Sequence, residues 1–132
     1  MRGTEQRGAG GVRSTLRLVP IHNGEDVPLL ATFIQQSLQA VGIKVDIVNL
    51  DTAGALSTVY RDWNFDLATG WHQYRGDPAV STTVWYRSGS PKGAPWTNQW
   101  GWKSEKIDEL TDQAAAELDP AKRKALYAEW TK

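Results

Sequence analysis

Polar and apolar side chains alternate along Thr15-Leu16-Arg17-Leu18-Val19 until Pro20, which predicts a strand. Leu30, Phe33, Ile34, Leu38 and Val41 then recur at three- and four-residue steps, so they mark one face of a helix that Gly42 ends. Ile43, Val45 and Ile47 alternate with Lys44 and Asp46 and run into Val48-Asn49-Leu50, a second strand. Asp51 or Thr52 caps a second helix with Leu56, Val59, Tyr60 and Trp63 on its apolar face, and residues 65–71 read as a short third strand. Strands separated by helical crossovers of this length are parallel, and their connections are right-handed in nearly all cases. The predicted fold class is α/β, a parallel βαβαβ sheet with helices on both faces.

Beyond residue 76 the pattern changes. Asp77-Pro78 supplies an N-cap and a first-turn proline for a short helix reaching about Tyr86. Residues 87–101 hold three Gly and two Pro yet also Trp96 and Trp100, which predicts a long ordered loop. Ser104 caps a helix with Ile107, Leu110, Ala114 and Leu118 on one face, and Asp119-Pro120 starts a last helix carrying Leu126, Tyr127 and Trp130. The chain stops inside that pattern, which reads as a fragment. Residues 1–14 carry four Gly and three Arg with almost nothing to bury, and read as a flexible leader before a folded segment over 15–132.

Composition narrows the chemistry. The 15 Lys and Arg balance 15 Asp and Glu, so no basic surplus is present to neutralise a nucleic-acid backbone. The absence of cysteine removes disulfides, thiolate metal sites and cysteine nucleophiles together. No apolar run approaches the roughly 20 residues that span a bilayer, and the N-terminus has no apolar stretch of signal-peptide type. His22 and His72 stand in different loops without carboxylates at ligand spacing, and neither a nucleophile elbow nor a phosphate-binding glycine loop occurs. Asp62 falls at a helix end, and Asp77 before Pro78 is most simply a cap. Asp66 could anchor loop amides, which its sequence setting leaves open. No catalytic group, metal or cofactor is implied.

Seven Trp in 132 residues need an explanation. Ligands of open parallel sheets sit in the crevice outside the carboxyl ends of the strands, and the third strand ends at Gly70-Trp71. The segment that follows carries Trp71, His72, Gln73, Tyr74 and Arg75, which offer ring stacking, a hydroxyl and a bidentate cation. These five residues, with Trp96 and Trp100 of the long loop, are the candidate ligand-binding residues. For Trp71 a plain packing role in a turn is the equal alternative. Trp63, Trp85 and Trp130 lie at helix-face positions and are expected to plug the core.

The order of segments resembles the solute-binding proteins of peptide, nickel and opine ABC importers, the family of the dipeptide- and oligopeptide-binding proteins. The marks are Ala40-Val41-Gly42-Ile43-Lys44-Val45, Phe65-Asp66 leading into Gly70-Trp71, Asp77-Pro78, Asn98 before Gly101-Trp102, Ile107-Asp108-Glu109-Leu110, and Asp119 through Arg123 to Leu126-Tyr127. Over 15–132 the resemblance implies part of the second lobe of a two-lobe periplasmic-binding-protein type II fold. It implies binding without catalysis: a peptide or other small-molecule solute is enclosed between lobes and delivered to an ABC importer permease. A periplasmic or cell-surface location follows, with membrane contact only through the permease. In the peptide-binding relatives a carboxylate a few residues after the Gly-Trp pair holds the α-amino group; the matching position here is Tyr74. The resemblance therefore points as much to a sugar, an opine-like conjugate or another polar molecule as to a free-amine peptide. A free-standing carbohydrate- or peptide-binding module is the alternative, and an enzyme with a carboxylate pair is the third reading.

Overall fold

The computed structural model describes residues 14–21 and 24–132. The expected leader over 1–14 lies outside the described residues except at Ser14, which already pairs in the first strand; His22 lies outside them too. The chain forms two compact units, Met1–Trp71 and His72–Lys132.

The first unit is built on β1 (Ser14–Pro20), α1 (Asp26–Ala40), β2 (Ile43–Ile47), α2 (Thr52–Leu56) and β3 (Leu67–Thr69). All three strands are parallel in the order β2-β1-β3, with Leu18 opposite both Ile47 and Leu67. Successive residues of β1 point to opposite sheet faces. Leu18 packs with Ala31, Val45, Ile34 and Leu38 under α1, whereas Val19 packs with Ala55, Val59 and Tyr60 under α2. Helices thus cover both faces, as the alternation in β1 predicts. The third strand is shorter than the expected 65–71, because Asp66 turns its carboxylate to the backbone N–H of Arg17 at 2.7 Å. This answers the open question about Asp66: it anchors the entry of β3 to β1.

Two helical stripes differ from expectation. The inward side of α1 is Val27, Ala31, Ile34 and Leu38, while Leu30, Phe33 and Val41 are exposed, Phe33 to 66%. The apolar arc of this helix is wider than its contact with the sheet, so periodicity outlines two overlapping stripes; the small Ala31 lies fully buried between β1 and β2. After Leu56 the second helix continues as a π-helical turn, Ser57–Arg61, with Asp62 N–H donating to the Ser57 carbonyl at 2.9 Å. The wider turn keeps Val59 and Tyr60 buried but rotates Trp63 off the stripe, where it adopts φ 54° and is partly exposed. Trp63 is not a core plug.

In the second unit, the helix expected over 77–86 is two 3-10 turns, Pro78–Val80 and Thr82–Trp85. Two longer helices follow, α3 (Glu105–Ala116) and α4 (Pro120–Trp130). Their caps are the predicted ones: Ser104 Oγ accepts from Ile107 N–H at 3.4 Å, and Asp119 accepts from Ala121 and Lys122 N–H at 2.8 and 3.0 Å. Leu118 does not extend the α3 face. The helix ends at Ala116 because Glu117 is already extended; Asp119, before Pro120, is extended too, so Leu118 stands 94% exposed in the turn. Trp130 is half-buried, its indole N–H donating to Thr111 Oγ1 at 3.1 Å. That bond ties the end of α4 to the middle of α3.

Candidate functional site

The strand order decides where the first unit can hold a ligand. The β1–α1 connection leads to β2 on one side of β1, and the next crossover leads to β3 on the other. The carboxyl ends of β1 and β3 therefore form a topological switch point, where diverging loops leave a crevice. Trp71 stands two residues past the end of β3, and a side chain started at Gly24, beyond the end of β1, would begin 3.8 Å from its indole nitrogen. Trp71 is 44% exposed, so it lies over the β1–α1 turn without being sealed in the core. The hydroxyl of Thr69, the last residue of β3, is buried and has no hydrogen-bond partner among the described residues.

In the second unit the imidazole of His72 lies between two indoles. Its ring centroid is 4.3 Å from that of Trp85 and 5.5 Å from that of Trp96, the second contact edge-on at 88°. Burial holds its pKa below the ordinary 6.5, favouring the neutral ring, and its Nδ1 is buried without a partner among the described residues. Trp96 adopts φ 65°, a left-handed conformation that costs a non-glycine residue on the order of 1–3 kcal/mol and persists only where the surroundings fix it. Sequence reasoning named His72 and Trp96 but not Trp85, which it assigned to the core; a helix-face position in a two-turn 3-10 segment does not settle which way its ring points.

Gln73, Tyr74 and Arg75 are exposed. Tyr74 donates its hydroxyl to the Gly76 carbonyl at 2.9 Å, and Gly76 adopts φ 81°, so the turn is closed by a residue free of a Cβ. Arg75 makes no hydrogen bond or ion pair among the described residues and presents a free guanidinium. Asp77 is doubly occupied: its Oδ1 accepts from Ala79 N–H at 2.9 Å, and its two oxygens receive Arg123 Nη2 at 2.9 and 3.0 Å. The Ala79 amide first, and then Arg123, hold its pKa below the ordinary carboxylate value. As predicted, this acid serves its cap and leaves the 72–75 segment without a carboxylate of its own. Trp100 stacks on Tyr86 with centroids 6.2 Å apart. The described residues hold no group of three His, Asp or Glu that could bind a metal ion, and no helix long and apolar enough to cross a membrane.

Against solved structures, this architecture has close parallels. CtaP, an ABC transporter substrate-binding protein from Listeria monocytogenes, matches with a TM-score of 0.73 at 21% identity over 92% of this chain and 24% of its own. AgaA from A. tumefaciens R10, solved with agropinic acid, matches at 0.75 and 22% identity over 88% of this chain and 23% of its own. NikA from Brucella suis, solved with Fe(III)-EDTA, matches at 0.72 and 23% identity over 95% and 26%. The fold is that of a segment of such substrate-binding proteins. The chain spans about a quarter of the length of the structures it matches. No protein-family model and no curated protein matches the sequence.

Proposed function

We propose that this chain is part of the second lobe of a solute-binding protein of an ABC importer, and that it supplies one wall of the solute site. The observation that carries the reading is the β2-β1-β3 switch point with a half-exposed Trp71 at its carboxyl end, in a fold shared with segments of substrate-binding proteins. In the first unit Trp71 offers a stacking face; in the second, Arg75 offers a free bidentate cation, Gln73 and Tyr74 offer polar edges, and His72, edge-on to Trp96, offers an Nδ1 without a partner among the described residues. Groups of these kinds bind and orient a molecule, and the described residues supply no nucleophile–base pair to transform it. In this reading the solute passes to a membrane permease, and the protein works in the periplasm or at the cell surface.

The solute is a polar molecule bearing an anionic group, not a free-amine peptide. Arg75 is the uncommitted charge of the segment, and the neighbouring carboxylate, Asp77, is held by Arg123 and the Ala79 amide. The test is a thermal-shift panel on the two-lobed parent, comparing agropinic acid, N-acetylated dipeptides and free dipeptides. The anionic conjugates should raise Tm and the free dipeptides should not; a panel in which only free-amine peptides stabilise the protein would contradict the assignment. Tyr74→Asp should then restore a response to free dipeptides.

A further inference from the structure

Residues 96–102 invert the usual preference of side chains for core and surface. Asn98 and Gln99 are buried, at 6% and 5% exposure, while Trp100 and Trp102 on either side of Gly101 are exposed, Trp100 to 52%. The inversion is built. Asn98 Nδ2 donates to the carbonyls of Arg87 and Trp102 at 3.2 and 2.7 Å, and its Oδ1 accepts from Trp102 N–H at 3.3 Å, so the polar side chain is the staple that holds the loop with its indoles outward. The indoles do not stand alone. With Tyr86, Ile107, Trp130 and Thr131 they line a groove of about 510 Å³, within the size range of small-ligand sites.

Ring orientation says what such a groove accepts. Trp100 lies nearly parallel to Tyr86 at 26°, whereas Trp102 and Trp130 meet it at 87° and 80°, with centroids 6.3 and 5.3 Å away. Perpendicular aromatic walls surround a compact, roughly spherical group better than they stack on a flat sugar face. Two of the lining donors are already engaged: the Trp130 N–H donates to Thr111, and the Thr131 hydroxyl donates to the Ala128 carbonyl at 2.9 Å. Among the described residues no Lys or Arg lines the groove to repel a cation. Ring faces carry negative potential, and a cation without N–H donors needs no hydrogen-bond acceptors.

We propose that this groove is a second ligand site, and that it takes a quaternary or fully N-alkylated ammonium group. The site lies wholly in the second unit and does not rest on the solute wall proposed above. Choline and its uncharged carbon isostere, 3,3-dimethylbutan-1-ol, are the probes, titrated at constant chloride into the 132-residue chain with the tryptophan indole N–H resonances as the readout. Choline should shift the Trp100, Trp102 and Trp130 resonances saturably, with the isostere about tenfold weaker. Trp100→Ala and, separately, Trp102→Phe should weaken choline binding while far-ultraviolet circular dichroism stays that of the parent. Trp71→Ala should leave choline binding unchanged, which separates this site from the solute wall. Equal binding of the two isosteres would overturn the assignment, as would indole shifts that follow protein concentration in place of choline, or saturation of the same indoles by methyl glucoside but not by choline.

Discussion

Single residues fix the loops that carry the aromatics. Asn98 satisfies three backbone groups, at Arg87 and Trp102, from a buried position, and leaving such groups unpaired costs about 1–3 kcal/mol each in the general case. Asn98→Ala should therefore lower the unfolding free energy by about 2 kcal/mol or more and broaden the Trp102 indole resonance; denaturant unfolding within 0.5 kcal/mol, roughly the scatter of surface substitutions, would show that the staple is not needed. Charge acts at this scale too. Hydrogen bonds from Lys106 and Lys132 hold the Glu129 carboxyl down to about 2, and the Ala79 amide with Arg123 holds Asp77 below its ordinary value. Both carboxylates have lower pKa values folded than unfolded, so their contribution is complete above the unfolded values and fades as pH falls through the folded ones. Acid should destabilise the chain from about pH 4.5 down to about 2, and Glu129→Gln should flatten that decline; an unchanged acid slope in the variant would assign it to other groups.

Elements show where sequence patterning determines structure and where it does not. Strand alternation, the caps at Ser104 and Asp119, and the order of helices and strands were all legible, because each rests on a local rule with one solution. The inward stripe of α1 was not, since a helix apolar over a wide arc has more than one face to offer and the sheet selects among them. Nor was the π turn: a one-residue change of helical period leaves no mark in spacing, and it moved Trp63 off the core. Leu118 shows a third cause, a helix that leaves its regular conformation at Glu117, one residue before the stripe reaches Leu118. These corrections can be checked by stability. Phe33→Ser and Leu118→Ser should each change the unfolding free energy by less than about 0.5 kcal/mol, whereas Ala31→Leu, overpacking the contact between α1 and the sheet, should cost about 1–3 kcal/mol. The reverse ranking would return α1 to the Leu30–Phe33 stripe.

At the scale of the molecule, topology carries more functional information than any motif in the chain. A parallel sheet in the order β2-β1-β3 has its switch point at the carboxyl ends of β1 and β3, and the placement of Trp71 just past β3 was readable because the parallel strands themselves were. The grouping of the remaining aromatics was not readable. His72 joins Trp85 and Trp96, while Trp100 joins Tyr86, Trp102 and Trp130, because the Asn98 staple and the Trp96 backbone, both tertiary features, set which way each ring points. Stacking on a ring is worth about 0.5–1.5 kcal/mol beyond area burial, and a hydrogen bond to a charged group about 1.5–3 kcal/mol. The most direct test of the proposed solute wall is therefore calorimetric titration of the two-lobed protein to which this chain is proposed to belong, with whichever conjugate raises its Tm, comparing Trp71→Ala and Arg75→Ala with Phe33→Ser as the neutral control. Affinity should fall about tenfold or more in the first two and stay unchanged in the control, with all three folded; undiminished affinity in both Trp71→Ala and Arg75→Ala would contradict the account.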